Sequence, residues 1–225
     1  MENNQLNQPY NVWMIADTHF SHKNILHHQP KRIEAMGLKD NTDIEGHDEY
    51  LVNMWLSQTK RNDHIYVMGD FIMSDQQRAL HLLHRLKSNG CKIHLIVGNH
   101  DKSTHKMFNM FESIDLIKVV TFKASVFPFL EQDLEVVMCH YPMKSWQHKC
   151  WGSLMIHGHT HDNSPWEHEG SGDLQINVGI DCPIADYKLI NLQQIYEVYK
   201  TMLNGHTPRQ YSNTEAVKIN PHYVR

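Results

Sequence analysis

A layered α/β fold with mixed sheets is predicted by three observations. The first half of the chain alternates short apolar runs with stretches of helical spacing. The second half carries one strand-like run after another with little helix between them, which points to mixed rather than purely parallel sheets. At 225 residues, the chain is long enough for one domain with a sizeable core. No repeat, low-complexity tract or linker divides it. Residues 1–225 are therefore read as a single domain, with a core of about 10–203 and a polar tail at 204–225.

The elements follow in order. Val12 to Ala16 is an apolar run of strand length that ends at Asp17. Asp48 to Gln58 places Leu51, Met54 and Trp55 on one helical face. His64 to Met68 is a second strand, ending at Gly69-Asp70. Ser74 with Gln77 has the spacing of a capping box, with Leu80, Leu83 and Leu86 on the face that follows, and Asn89-Gly90 stops that helix. Lys92 to Val97 is a third strand. Leu116–Phe122, Leu134–Cys139, Leu154–His157 and Leu174–Val178 are further strands, and Leu192 to Met202 a closing helix.

Bulk composition excludes several classes. A net charge of −4 argues against a broad surface for long nucleic acid, though not against a nucleotide or a nucleic-acid end. Cys91, Cys139, Cys150 and Cys182 lie far apart, so neither a thiolate zinc site nor a disulfide scaffold is expected; reduced, mostly buried thiols are. Residues 1–9 do not have the form of a signal peptide, and no apolar run reaches membrane-spanning length. A cytoplasmic protein without membrane contact is expected.

The informative feature is the company kept by a few of the 19 histidines. Five blocks read Asp17-Thr18-His19, Gly69-Asp70, Gly98-Asn99-His100-Asp101, Cys139-His140-Tyr141-Pro142 and Gly158-His159-Thr160-His161, each after an apolar run. Ligands at strand ends are held rigidly, at the crevice where α/β sheets bind their ligands. Asp17 and His19 are two apart, as are His159 and His161, so both members of a pair turn to one point if the chain is still extended there. Carboxylate, imidazole and amide oxygen without sulfur suit Mn²⁺, Fe²⁺, Co²⁺, Ni²⁺ or Zn²⁺. Two such ions roughly 3.5–4 Å apart, sharing one carboxylate, can hold the attacking and leaving oxygens of an in-line displacement.

In that order the blocks resemble the calcineurin-like metallophosphoesterase superfamily, whose motifs run D-x-H, GD, GNH(D/E), H and GHxH. The similarity spans Asp17 to His161 and extends through Asn177-Val178-Gly179. The wording Asp17-Thr18-His19-Phe20-Ser21-His22-Lys23-Asn24, Gly69-Asp70-Phe71 and His140-Tyr141-Pro142 resembles a compact bacterial and phage branch. The resemblance implies a four-layer α/β/β/α sandwich, two mixed sheets face to face with helices outside. It also implies hydrolysis of a phosphate ester, a phosphodiester ahead of a monoester, by a hydroxide bridging two divalent ions, Mn²⁺ ahead of Fe²⁺, Zn²⁺, Ni²⁺ or Co²⁺. Asp17, His19 and His161 would hold the first ion, Asp70 would bridge, and Asn99, His140 and His159 would complete the second position. His100 would meet the phosphoryl group or protonate the leaving oxygen, with Asp101 orienting it; imidazole is the side chain that titrates near neutrality.

Other residues carry two readings each. His22 is either a substrate contact or a solvated loop histidine. Lys31-Arg32 is either a phosphate clamp, Arg32 matching phosphate oxygens, or an exposed helix end. Trp146 either stacks a base, with Lys144 meeting a phosphate, or packs under its loop. His157 is either a further ligand or, preferred, a support for the ligands. His27, His28, His47, His81, His84, His94, His105, His148 and His168 are read as structural or surface residues, and Glu167-His168-Glu169 as a solvated loop. The expected substrate is a small phosphate ester or nucleotide; a nuclease acting on ends or single strands is the alternative, and a catalytically silent binding scaffold the second.

Overall fold

The computed structural model describes residues 10–101, 107, 109–161 and 174–203. Its elements are β1 (Val12–Ile15), α1 (Ile25–His28), α2 (Lys31–Ala35), α3 (Ile44–Gln58), β2 (His64–Val67), α4 (Gln76–Leu86), β3 (Lys92–Ile96), β4 (Ser113–Asp115), β5 (Ile117–Phe122), β6 (Leu134–Cys139), β7 (Leu154–His157), β8 (Gln175–Asn177), β9 (Ile190–Asn191) and α5 (Leu192–Leu203). His105, His168, the Glu167–Glu169 stretch and the tail lie outside the described residues.

The fold is the expected α/β sandwich of two mixed sheets with helices. One sheet has the order β4-β3-β2-β1-β9, parallel except for β9. The other has the order β5-β6-β7-β8, parallel except for β5. Alternation along the strands builds two cores, because successive side chains point to opposite faces. Val12, Met14, Tyr66 and Met68 face Val136, Met138, Ile156 and Ile176 of the other sheet, and Ile195 and Tyr199 of α5 join that cluster. Ile15, Ile65, Val67, Ile93 and Leu95 point the other way, onto Leu51 and Trp55 of α3 and Leu82, Leu83 and Leu86 of α4.

Local chemistry explains where element bounds differ from expectation. Helix α3 begins four residues before Asp48, because the Asp43 side chain accepts from Gly46 N at 3.0 Å and caps a first turn with no apolar pattern. The cap of α4 is Asp75, accepting from Arg78 N at 2.9 Å, and not Ser74. The Ser74 hydroxyl donates instead to Asp75 O, so no Ser74–Gln77 capping box forms. A reciprocal box does open α5, where Asn191 and Gln194 exchange side-chain to backbone bonds of 2.9 and 2.8 Å. Elements β4, β9 and α1 were not expected, and α2 only as the helix end that Lys31-Arg32 could mark; each has five residues or fewer, too short for a periodicity to show. Cys91, Cys139 and Cys182 are buried thiols and Cys150 an exposed one, none of them in a disulfide among the described residues. No helix among the described residues is long and apolar enough to cross a membrane.

His94 makes the inner core pH-sensitive. Its ring stacks on Tyr66 at 4.4 Å and bonds His64 and Ser113 at 2.9 and 3.0 Å. Burial, then the charges of His64 and Lys118, lower its pKa from 6.5 to about 4. The unfolded chain therefore takes up this proton first as pH falls. The stabilisation is complete above pH 6.5 and drains away as pH falls toward 4, by about 3 kcal/mol in all. Denaturant titrations at pH 7 and pH 4.5 should show a smaller loss for His94→Gln than for wild type; equal losses would refute the assignment.

Candidate metal centre

The site forms where the carboxyl ends of the parallel strands of both sheets meet. Ala16, just past β1, bridges Gly179, just past β8, through Ala16 N to Val178 O (2.9 Å) and Ile180 N to Ala16 O (3.0 Å). Beyond that seam the first two blocks run side by side, with Asp17 N donating to Gly69 O and His19 N to Asp70 O. His159 N crosses from the other sheet to Asp17 Oδ2 at 2.9 Å.

The paired ligands converge, though not on extended chain as expected. Asp17, His19, Asp70, His159 and His161 all have left-handed backbone, with φ of 57, 52, 50, 73 and 49°. Such conformations cost about 1–3 kcal/mol each and persist where the surroundings enforce them. Gly69, at φ 83°, could not be replaced freely: a Cβ there would lie 2.5 Å from His140 Nδ1.

Two groups of potential metal ligands result. Asp17, His19 and His161 bring one atom each within 4.8 Å of one another, and so do Asp70, His140 and His159. Asn99 Oδ1 joins the second group at 3.0 Å from His140 Nε2. Asp70 Oδ2 lies between the groups, 3.7 Å from His19 Nε2 and 3.6 Å from His140 Nε2.

The ring nitrogens sort themselves. His140 Nδ1 pairs with Met68 O at 2.8 Å, leaving Nε2 for the site. His161 Nδ1 pairs with Asp181 Oδ2 at 2.7 Å, again leaving Nε2. His159 presents Nδ1, 3.2 Å from His140 Nε2. His19 Nε2 and Asp17 Oδ1 are buried with no hydrogen-bond partner. A carboxylate oxygen and an imidazole nitrogen orphaned in one group fit a cation, since unsatisfied buried polar atoms are otherwise costly.

Electrostatics agree. Burial pushes Asp17 up to about 7, opposed by His161 and reinforced by Asp70. Burial, together with the Arg32 charge, brings His19 down to about 2. His140 and His159 are also lowered by burial. His161 differs: against burial, its bond to Asp181 and the Asp17 charge raise its pKa. Neutral His19, His140 and His159 beside a crowded acid pair are the state a divalent ion would relieve.

Several expected roles move. Arg32 is not a phosphate clamp or an exposed helix end. It is fully buried and forks onto Asp181 with two bonds of 2.7 Å. Its other N–H groups donate to Thr18 O at 3.0 Å and Asp17 O at 2.7 Å, and it pairs with His47 at 3.0 Å. Trp146 does not stack a ligand; it is buried, with Nε1 donating to Ser153 O at 3.1 Å. Asp101 does not orient His100. Its oxygens accept from Gly98 N, Asp70 N and Phe71 N at 2.8–2.9 Å, stapling the second block to the third. His157 is fully buried, with Nδ1 on Gly158 O at 2.9 Å.

His22 and His100 do come to the site. Their rings lie 6.2 Å apart and each 5.5 Å from that of His19. His100 Nε2 is 4.0 Å from Asp70 Oδ2, and its side chain is 43% exposed. The exposed Tyr141 ring sits 4.6 Å from that of His159. Two supports escaped the sequence reading. One is Asp181, two residues beyond Gly179. The other is Asp48, which accepts from Ser21 N and Oγ at 2.7 and 2.6 Å and so fixes the loop between His19 and His22.

No family model matches the chain. The gene 66 protein of Mycobacterium phage L5 is 26% identical over 211 residues, covering 84% of this chain and 93% of its own. The gene 66 protein of phage D29 is 24% identical, covering 87% and 98%. An uncharacterized protein of Methanocaldococcus jannaschii is 25% identical, covering 83% and 90%. A solved protein of unknown function from Aquifex aeolicus superposes with TM-score 0.62 at 24% identity, over 84% of this chain and 99% of that one, and so shares the fold. A phosphopantetheinyl hydrolase from Mycobacterium tuberculosis reaches a TM-score of only 0.28, too low to bear on activity.

Proposed function

We propose that the protein is a phosphoesterase of the calcineurin-like metallophosphoesterase type, dependent on two divalent ions, Mn²⁺ first among them. The observation that carries this reading is Asp70 Oδ2, set almost equally between a ligand group on each side. Asp17, His19 and His161 would hold one ion and Asn99, His140 and His159 the other, with Asp70 common to both. Bound ions supply Lewis acidity at phosphoryl oxygens and lower the pKa of water toward neutrality.

The protein's own contribution is placement. Left-handed turns aim the ligands inward, and the rigid strands behind them hold that aim. His100, at the open side, is the group that donates a hydrogen bond to a phosphoryl oxygen or a proton to the leaving oxygen. His22 lines the same side. Arg32, spent on Asp181, offers nothing to a second phosphate charge, which favours a diester over a monoester. The acidic net charge favours a small substrate over long nucleic acid.

The test is a panel of bis-(p-nitrophenyl) phosphate, cyclic nucleotides, p-nitrophenyl phosphate and single-stranded DNA, assayed after stripping and reloading with Mn²⁺, Ni²⁺, Zn²⁺ or Fe²⁺. Diester hydrolysis that needs metal and drops by 10²-fold or more in His100→Ala is expected, within the usual range for general acid–base groups. Two bound ions with no hydrolysis anywhere on the panel would overturn the reading.

A further inference from the structure

The pair Arg32–Asp181 has no place in the ligand blocks, yet it is an almost wholly buried ion pair, with side-chain exposures of 0 and 3%. We propose that Asp181, clamped by Arg32, is a positioning residue for the first metal position: it accepts a hydrogen bond from the Nδ1–H of His161 and so leaves Nε2 facing that position. The inference rests on the metal-dependent reading above.

Three observations support it independently. Asp181 Oδ2 is 2.7 Å from His161 Nδ1, and a carboxylate oxygen can only accept there, so Nδ1 must be the protonated nitrogen. The carboxylate cannot swing away, because both its oxygens are engaged by the guanidinium fork at 2.7 Å. The same guanidinium donates to Asp17 O and Thr18 O, in the block that carries the other two ligands. One buried cation thus fixes Asp17 and His19 through the backbone and His161 through Asp181. His140, in the second position, has only a backbone carbonyl at its Nδ1, and His19 a thioether at 3.4 Å. Of His161, His140 and His19, only His161 has a carboxylate at Nδ1 among the described residues, which places this support at the first position. Such outer partners set ligand orientation and basicity, and their loss commonly costs 10- to 100-fold in metal affinity.

Asp181→Asn tests this. It keeps the shape, but the Arg32 fork claims the one remaining acceptor oxygen, so the amide N–H₂ faces His161 and favours the opposite tautomer. Titration of the stripped protein with Mn²⁺, followed calorimetrically, should show one of two equivalents weakened 10- to 100-fold and the other unchanged. The wild-type apo protein should show His161 protonated at Nδ1 in two-bond ¹H–¹⁵N imidazole spectra, with the signal assigned by its absence in His161→Gln. A merely structural role would not move either readout. Two wild-type affinities in a folded Asp181→Asn protein, or an Nε2–H tautomer in wild type, would overturn the proposal. If Asp181→Asn does not fold, the wild-type spectrum decides. Two ions bound in the expected pattern without hydrolysis would remove the phosphoesterase reading and leave this one standing, whereas a wild type that binds no ion removes both.

Discussion

Asp70→Asn should reduce the Mn²⁺ bound by the stripped protein from two equivalents to at most one and slow phosphodiester turnover by about 10³-fold or more. The size follows from position. Oδ2 of Asp70 lies within 4.0 Å of His19, His140 and His100 at once, so it is the charge that both ions would share. Without it, each position would keep its own ligands, but the repulsion between two cations would be unscreened and the second would not bind. Losing both the pairing and the charge compensation for a phosphoryl group costs about 4 kcal/mol of barrier at that rate ratio. The fold should survive, because the backbone N–H of Asp70 stays bonded to Asp101 and an amide oxygen can still accept from His100 N. Elemental analysis and steady-state kinetics on the same preparation check this. Two ions and near-normal turnover in Asp70→Asn would dismiss the shared-carboxylate arrangement.

Arg32→Met should be the most destabilising single change at the site. It strips a fully buried guanidinium from Asp181 and from the carbonyls of Asp17 and Thr18, leaving a buried carboxylate with only His161. Breaking one partner of a buried pair costs about 3–5 kcal/mol, so chelator-treated protein should melt roughly 10 °C or more below wild type. Arg32→Lys should not rescue it, since an ammonium cannot span two carboxylate oxygens and two carbonyls together. The contrast is Lys123–Asp133, also 2.7 Å but about half exposed on each side; Lys123→Met there should leave the melting temperature near that of wild type. Equal melting shifts for the two variants would contradict the burial argument.

Much of the fold, and of the residues that converge at the candidate centre, was legible in the sequence, and the reasons differ by element. Leu134–Cys139 and Leu154–His157 carry apolar runs long enough to fix their strands to the residue. The five blocks were legible because an Asp, Asn or Gly beside a histidine at a strand end is a local signal. Asp181 was not, since it meets His161 across 20 residues and no spacing announces it. Arg32 misled for a related reason: beside Lys31 and Pro30 it has the polar neighbours of a surface turn, and only the tertiary path of α2 buries it. Asp101 misled through adjacency to His100, although the turn sends its carboxylate back to the amides of Gly98 and Asp70. The left-handed ligands were invisible too: Asp and His are enriched at positive φ, but non-glycine residues adopt it so rarely that residue type alone did not mark these five.

The seam at Ala16 and Gly179 bears on mechanics as well as chemistry. Asp17, His19, Asp70 and Asn99 belong to the sheet containing β1, whereas His140, His159 and His161 follow strands of the other. Each ion would therefore take ligands from both sheets and act as a rivet through the sandwich. Any rotation of one sheet against the other would change the spacing of the two ions, so the stiffness of the sandwich and the geometry of the centre are one property.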